Sequence, residues 1–480
     1  MTLTQAATDE LTAILGARFV TSGAGVAQHG RDESPLDDAA PEGVAYPDST
    51  QEVAATVRAC ARHRVPVIPF GAGTSLEGHV LATSGGVSLD TTRMDSTLAI
   101  RASDMDATVQ AGVTRDVLND RLAREGLFFP VDPGADATIG GMAATGASGT
   151  TTVKYGAMRE NVLNLRVVLA DGLVVDTAQR ARKSSAGYDL TRLFIGSEGT
   201  LGVITEVTVR LYGIPEAISS ATCRFPDVER AVDAATAVMQ VGIDIARIEF
   251  LDELSIEAIN AFSGSAHQVA PTLFLEFHGS PDGVLERSKA VENVILGFGA
   301  IDYRAASRQE GADLWRARHD HFYATRALRP GARAVTTDVC VPISRLAECI
   351  VAARAEILAS SLTATIAGHV GDGNFHVVIL VDPDDENEMT RVEDLNHRLV
   401  DRALEAEGTC TGEHGIGLRK TSFLERELPE GVEVMRSIKR AARPAEPHEP
   451  RQGPEDLIDG LPSLATLPVE RADPCVKSRA

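Results

Sequence analysis

The sequence predicts an α+β protein built from two unlike domains, and three observations lead there. Residues 40 to 214 are rich in glycine and broken into short β-like runs. After "LYGIPEA" (211–217) the texture changes to strands alternating with helices. The chain has 480 residues, of which 44% are hydrophobic, enough to fill two or three packed cores.

In the first domain, "VPVIPFG" (65–71), "GGVSLDTTRM" (85–94), "DATVQAGV" (106–113), "LRVVLADGLVVDT" (165–177) and "LGVITEVTVRL" (201–211) read as strands. Each is a β-branched run punctuated by Gly, Pro or Asp. Asp171–Gly172, between two apolar runs, predicts a two-residue hairpin turn. "TQEVAATVRACARHR" (50–64) predicts a helix, with Thr50 able to cap it and Val53, Val57 and Cys60 on one face.

In the second domain the order is "ATCRF", the helix "DVERAVDAATAVMQVG", "IARIEFLDE", "PTLFLEFHG" and the helix "DGVLERSKAVENVILGFG". A third unit runs from "AVTTDVCVP" through "ISRLAECIVAARAEILAS" to "ATIAGHVGDGNFHVVIL". This rhythm predicts an α/β sandwich over roughly 215 to 440, with the boundary near Pro215.

Composition excludes some function classes. With 46 basic against 68 acidic residues the net charge is −22, which argues against nucleic acid or an anionic membrane surface as a main partner. An anionic substrate must then meet a local basic pocket. No stretch approaches the ~20 apolar residues of a membrane span, and the N-terminus lacks a basic segment followed by an apolar core. The expected compartment is the cytoplasm, with at most a peripheral contact to the membrane. Six cysteines, at 60, 223, 340, 349, 410 and 475, form no C-x-x-C pair and read as reduced thiols, mostly buried.

Three glycine loops point to a ligand. "PFGAGTSLEGH" (69–79) follows an apolar strand and can turn its N–H groups inward as an anion nest, although its spacing is not the Rossmann fingerprint. "FFPVDPGADATIGGMAATGASGTTTVKYG" (128–156) has almost no bulk between Ala135 and Thr152, as expected of backbone laid against a flat ligand. "FIGSEGTLGVIT" (194–205) is the third. One such loop alone would pass for a plain turn.

In "GHVGDGNFHVVIL" (368–380) a turn over 371–374 would place His369 directly opposite His376, with Cβ atoms ~4.5–5.5 Å apart, close enough to share a metal. A hairpin with two stacked rings accounts for the pair equally well. "GTCTGEHGIG" (408–417) presents Glu413 and His414 side by side on a second glycine-rich turn.

The glycine loops, "RKSSAGYDL" (182–190), "TTDVCVPISRL", "GHVGDGNFH" and "GEHGIG" together resemble the FAD-linked 2-hydroxy acid dehydrogenases of the vanillyl-alcohol oxidase type. The likeness is greatest to the mitochondrial-type D-lactate dehydrogenases and covers about residues 40 to 440. Glycolate oxidase flavin subunits and D-2-hydroxyglutarate dehydrogenases are the alternatives. The resemblance implies a p-cresol methylhydroxylase (PCMH)-type FAD-binding domain over 40–214 and an α/β, ferredoxin-like substrate cap with a metal site over 215–441. A helical segment, 1–39, would precede them.

It also implies a noncovalent FAD cradled by Pro69, Gly71, Gly73, Thr74 and Gly78. Asp132, Gly140, Gly141, Ala144, Gly146, Ser148 and Gly149 would line the dinucleotide, and Gly196, Glu198, Gly202 and Ile204 would complete the site. His79 stands near where some relatives of the wider superfamily attach flavin. Glu413 becomes the third ligand beside His369 and His376, with zinc or manganese expected; the donor types alone also admit iron(II).

A small 2-hydroxy acid would then lose its hydroxyl proton to His414 and its C2 hydride to the flavin. His414 also reads as a solvated or supporting histidine. Arg318 matches the family's carboxylate-gripping arginine, with Arg316 two residues away on the same predicted helix, and Asn374 matches a substrate-contacting asparagine. Thr336 stands where the D-2-hydroxyglutarate enzymes carry a lysine, which favours a monocarboxylate such as D-lactate. Electrons would leave for cytochrome c, another carrier or a quinone.

Beyond "SIKRA" (437–441) the likeness stops. Read one base later, the codons from Ala442 to Pro454 can spell Leu-Asp-Pro-x-Asn-Leu-Met-Asn-Pro-Gly-Lys-Val-Leu, the ending such relatives carry. Residues 442–480 are thus expected to be a frameshifted, disordered tail.

Overall fold

The computed structural model describes residues 3–442; the expected tail, but for Ala442, lies outside the described residues. Strands β1 (Phe19–Val20), β2 (Gly43–Ala45), β3 (Val67–Phe70) and β4 (Val87–Asp90) form a sheet in the order β1-β2-β4-β3, parallel except for β1. The N-terminal segment carries the helices Gln5–Leu15 and Ala24–Gln28 and also packs into the first domain. Helix Gln5–Leu15 buries Ala7, Leu11 and Leu15 in the same core as Val53, Val57 and Cys60 of helix Thr50–His63, and β1 enters the sheet. The second helix is capped by Ser49, whose hydroxyl accepts from the Glu52 N–H, rather than by Thr50, whose buried hydroxyl donates to Thr205.

The chain continues through β5 (Thr97–Arg101), β6 (Asp106–Gln110), the short β7 (Leu127–Phe128), β8 (Val162–Val168), β9 (Val174–Asp176) and β10 (Val203–Arg210). All but β7 make an antiparallel sheet in the order β5-β6-β10-β8-β9. The β8–β9 hairpin exists, but its loop is one residue longer than expected. Leu169 N–H bonds to Leu173, and Gly172, at φ +76°, closes the turn on Leu169. A three-residue loop needs its left-handed position after the turn, which glycine supplies. The last strand on this side, β11 (Tyr212–Gly213), pairs with β7.

From Ala217 the chain builds one eight-stranded sheet from β12 (Ala217–Arg224), β13 (Arg247–Leu251), β14 (Thr272–Gly279), β15 (Asp302–Ala306), β16 (Arg333–Thr336), β17 (Val339–Cys340), β18 (Thr363–Gly368) and β19 (Asn374–Val381). The order is β15-β12-β14-β13-β18-β19-β16, with β17 beside β19, and every pairing is antiparallel. The first four strands take the order of a ferredoxin-like β-α-β-β-α-β unit. Helix Glu253–Ser263 and strand β15 are additions to the sequence reading, as is helix Glu386–Glu405.

Alternation along these strands decides what faces where. Ile248 and Phe250 on β13, Leu273, Leu275 and Phe277 on β14, and Val377, Ile379 and Val381 on β19 point into one core under helices Val228–Gln240, Pro281–Gly297, Leu346–Ser360 and Glu386–Glu405. Burying each such side chain contributes about 1.5–3 kcal/mol. The intervening residues, Arg247 and Glu249, Glu276 and His278, and His376, fall on the opposite face. That face is also buried, so its charges need partners.

Candidate active site

A cleft with about 1040 Å³ of empty space lies between the glycine loops and the second domain. Of the residues expected at the flavin, Pro69, Gly71, Gly73, Thr74, Gly141, Ala144, Ser148 and Glu198 line it. Thr138, Met142, Thr145 and Gly199 line it as well, as do His79, Glu413 and His414. A wall with so many side-chain-free positions suits a flat dinucleotide.

The remaining expected residues are not on that wall. Gly78 packs on Leu36 and Leu418, Gly140 on Ala111, Gly146 on Gly196, and Gly202 on Val167; Gly149 sits against the Asp132 carbonyl. Ile204 is a buried core residue of β10. Asp132 turns its carboxylate to Arg115 (2.7 Å), to His319 (3.0 Å) and to Arg247 (3.5 Å), an ionic knot between the two domains. Burial opposes its ionisation, but His319 and the two guanidinium groups hold the carboxyl well below its usual range.

The histidine pair is arranged differently from the expected hairpin. β18 and β19 register Ala367 with His376, so His369 lies beyond the end of β18 in a five-residue loop, diagonal to His376 rather than opposite it. Two residues along a strand restore the same face, so the rings still meet edge to face at 5.4 Å. Glu413 completes the set: its Oε1 is 3.3 Å from His369 Nε2 and 3.2 Å from His376 Nε2. Bonds of ~2.0–2.2 Å to one cation place neighbouring donors roughly 3–3.5 Å apart, so two buried histidines and a partly buried carboxylate fit a divalent metal.

The loop that delivers Glu413 is held from both sides. Asp338, just before β17, accepts at Oδ2 from the N–H groups of Gly412, Glu413 and His414 and from the Thr411 hydroxyl. From the flavin side, Glu198 accepts from Ile416 N–H at 2.7 Å and Gly417 N–H at 3.0 Å. Between them Gly415, at φ +82°, leaves no room for a side chain, since a Cβ there would sit 2.6 Å from Glu198 and 2.8 Å from His79. Burial pushes the Glu198 carboxyl up, but His79 beside it and the two N–H donors bring it down overall.

His414 stacks on His376 at 5.0 Å and turns Nδ1 to Glu77, 3.5 Å away. Glu77 also meets Arg419 and Lys420, each at 3.0 Å. Burial alone would raise its carboxyl; Lys420, His414 and Arg419 reverse that. Asp338 is likewise driven far down, against its burial, by His414, Lys420 and His376.

Arg318 and Asn374 reach partners within the protein. Arg318 is mostly shielded and grips Glu249, whereas Arg316 is exposed on Asp313. The Asn374 amide donates to Asp338 and the Val339 carbonyl, leaving its buried Oδ1 without a partner. Thr336 is buried with an unpartnered hydroxyl; Arg419, which donates to its carbonyl, is held by Glu77.

Glu249, Asp338 and Glu77 were missed as site residues. "DVC" and "SLEGH" lie inside motifs singled out above, whereas Glu249 is a single acid in the apolar run "RIEFL".

Comparison with known proteins agrees with this arrangement. Residues 41–178 match the FAD binding domain family and 214–447 the family of FAD linked oxidases, C-terminal domain. The chain is 51% identical to a probable mitochondrial D-lactate dehydrogenase of Danio rerio, over 90% of this chain and 88% of the relative. It is 46% identical to the mitochondrial D-lactate dehydrogenase [cytochrome] of Arabidopsis thaliana, over 88% and 74%. The fold superimposes on substrate-bound p-cresol methylhydroxylase with a TM-score of 0.76 at 19% identity, over 91% of this chain and 94% of that one. Glycine loops, an eight-stranded cap and the facing histidines thus have one common explanation: the chain belongs to the FAD-linked 2-hydroxy acid dehydrogenases of the vanillyl-alcohol oxidase type, in the family of the mitochondrial-type D-lactate dehydrogenases.

Proposed function

We propose that the protein oxidises D-lactate to pyruvate, using a noncovalently held FAD and a divalent metal, zinc or manganese, and passes the electrons to cytochrome c, another small carrier or a quinone. The observation that carries this reading is the convergence of His369 and His376 on Glu413, which itself lines the glycine-lined cleft. When bound, the flavin supplies the hydride acceptor and the metal a Lewis acid beside the substrate hydroxyl.

The chain's own groups do the rest. Arg318 binds the substrate carboxylate, and its low exposure beside Glu249 limits the screening of that bond by water. Glu77 can only accept, so it favours the proton of His414 on Nδ1 and leaves Nε2 free to take the hydroxyl proton. The stack on His376 fixes the plane of that ring. Asn374 Oδ1, buried and unpartnered, is available to a hydroxyl donor. Thr336 offers no cation to a second carboxylate, and the Arg419 Nη1 beside its carbonyl is already paired with Glu77, which supports a monocarboxylate.

Reduction of the flavin by D-lactate, glycolate and D-2-hydroxyglutarate in stopped flow tests the reading. D-Lactate is expected to bleach the 450 nm band fastest, and a fastest reaction with either other acid would overturn the assignment. Acid precipitation is expected to release the colour; colour kept in the pellet would mean a covalent link.

A further inference from the structure

Glu249 stands at the centre of the polar face of the cap sheet, on β13, with only 1% of its surface exposed. Its two oxygens serve different partners. Oε1 accepts from His369 Nδ1 at 2.6 Å, while Oε2 accepts from Arg318 Nε at 2.9 Å and Nη2 at 2.8 Å. A carboxylate cannot donate, so the His369 proton is pinned to Nδ1 and Nε2 is left to face Glu413. The guanidinium has one forked edge through Nε and Nη2 and another through Nη1 and Nη2. Glu249 occupies the first, so only the second remains for a ligand.

We infer that Glu249 is a positioning residue that fixes the separation between the metal ligand His369 and the carboxylate fork of Arg318. It thereby sets the enzyme's preference for a hydroxyl on the carbon next to the carboxylate. The inference rests on the metal and arginine roles proposed above. One rigid, buried carboxylate bridges the two groups that would hold opposite ends of the substrate. A 2-hydroxy acid spans a fixed short distance between its hydroxyl and carboxylate oxygens, and a 3-hydroxy acid is one carbon longer. Neither Asp nor Gln can replace this bridge: Asp is one methylene too short to touch both partners, and Gln offers one acceptor and turns an NH2 toward a donor.

The test compares Glu249→Gln and Glu249→Asp with Glu276→Gln, a buried acid on the neighbouring strand β14 whose partners are His278, Arg247 and Ser220. Three quantities are measured on the FAD-loaded protein: zinc or manganese affinity against a chromophoric chelator, KM and kcat for D-lactate, and the ratio of kcat/KM for D-lactate to that for (R)-3-hydroxybutyrate. Both Glu249 variants are expected to bind metal 10- to 100-fold more weakly. They are also expected to raise KM for D-lactate more than they lower kcat and to narrow the D-lactate preference by tenfold or more, with Glu276→Gln unchanged in all three. Should Glu249→Gln fail to fold, Glu249→Asp, which keeps the buried charge, carries the test. An unaltered affinity and ratio in the Glu249 variants, or equal losses in Glu276→Gln, would overturn the inference. A wild-type chain that binds no divalent metal would overturn the underlying functional reading as well.

Discussion

Ser148, in the second glycine loop, donates a 2.9 Å hydrogen bond to Oε2 of Glu413, the carboxylate whose other oxygen faces His369 and His376. The glycine-lined wall and the proposed metal trio are therefore in direct contact, although they belong to different domains. A hydrogen bond to a buried charge contributes about 1.5–3 kcal/mol. Ser148→Ala is expected to lower kcat/KM for D-lactate roughly 10- to 100-fold. Steady-state kinetics check this, and an unchanged kcat/KM would show that the bond is idle.

Removing the trio is expected to be far more severe. His376→Ala, or exhaustive chelation, abolishes turnover while the flavin spectrum persists, because the glycine loops that line most of the cleft stay intact. Activity assays paired with 450 nm absorbance separate the two effects. Full activity in metal-free protein would remove the metal from the reaction.

The two arginines of helix Arg308–His319 should behave differently. Arg318 is 11% exposed against Glu249, and Arg316 is 69% exposed against Asp313. A lysine cannot offer two parallel donors, so Arg318→Lys is expected to raise KM for D-lactate tenfold or more, while Arg316→Lys stays within about twofold. Equal KM changes would leave the carboxylate anchor unassigned.

His321 sets an acid limit on stability. It is fully buried, bonds to the Ser255 hydroxyl at 2.9 Å, and its pKa is lowered to about 3, first by burial and then by the charges of Arg318 and His376. The unfolded chain takes up this proton below its usual pKa of ~6.5, but the folded chain does not until about 3. The stabilisation is thus complete above ~6.5 and is lost as pH falls, by about 1.4 kcal/mol per unit. Urea unfolding at pH 7, 6 and 5 should show a shallower decline for His321→Gln than for the wild type. Parallel declines would place the acid sensitivity elsewhere.

The sequence made some of this legible and hid the rest for physical reasons. Glycine loops announce themselves because a wall without side chains is rare in a core, and the loops around Gly71, Gly141 and Gly199 do line the cleft. His369 and His376 could be paired because both periodicities, a direct pair or a diagonal one, place them on one face. Their register could not be read, because it depends on whether the loop closes over four residues or five. Glu249 was invisible for a different reason: in "RIEFL" it looks like one polar step of an ordinary strand, and only the burial of both sheet faces makes it remarkable chemically. Thr50 was a fair cap in sequence, yet Ser49 won because Thr50 is buried against Thr205.

The loop from Thr411 to Gly417 is gripped by Asp338 from the cap and by Glu198 from the flavin side, where the Glu77 carbonyl also accepts from Leu418 N–H just beyond it. The reactive centre is therefore a property of the seam. A chain cut between Gly213 and Ala217 would yield one fragment with a cleft but no ligands and another with ligands on a loop held by Asp338 alone. Each half would be inert alone, and mixing them would restore the centre only as far as the halves re-dock. Loss of the Asp338 grip should then read out as slower chemistry with an intact fold.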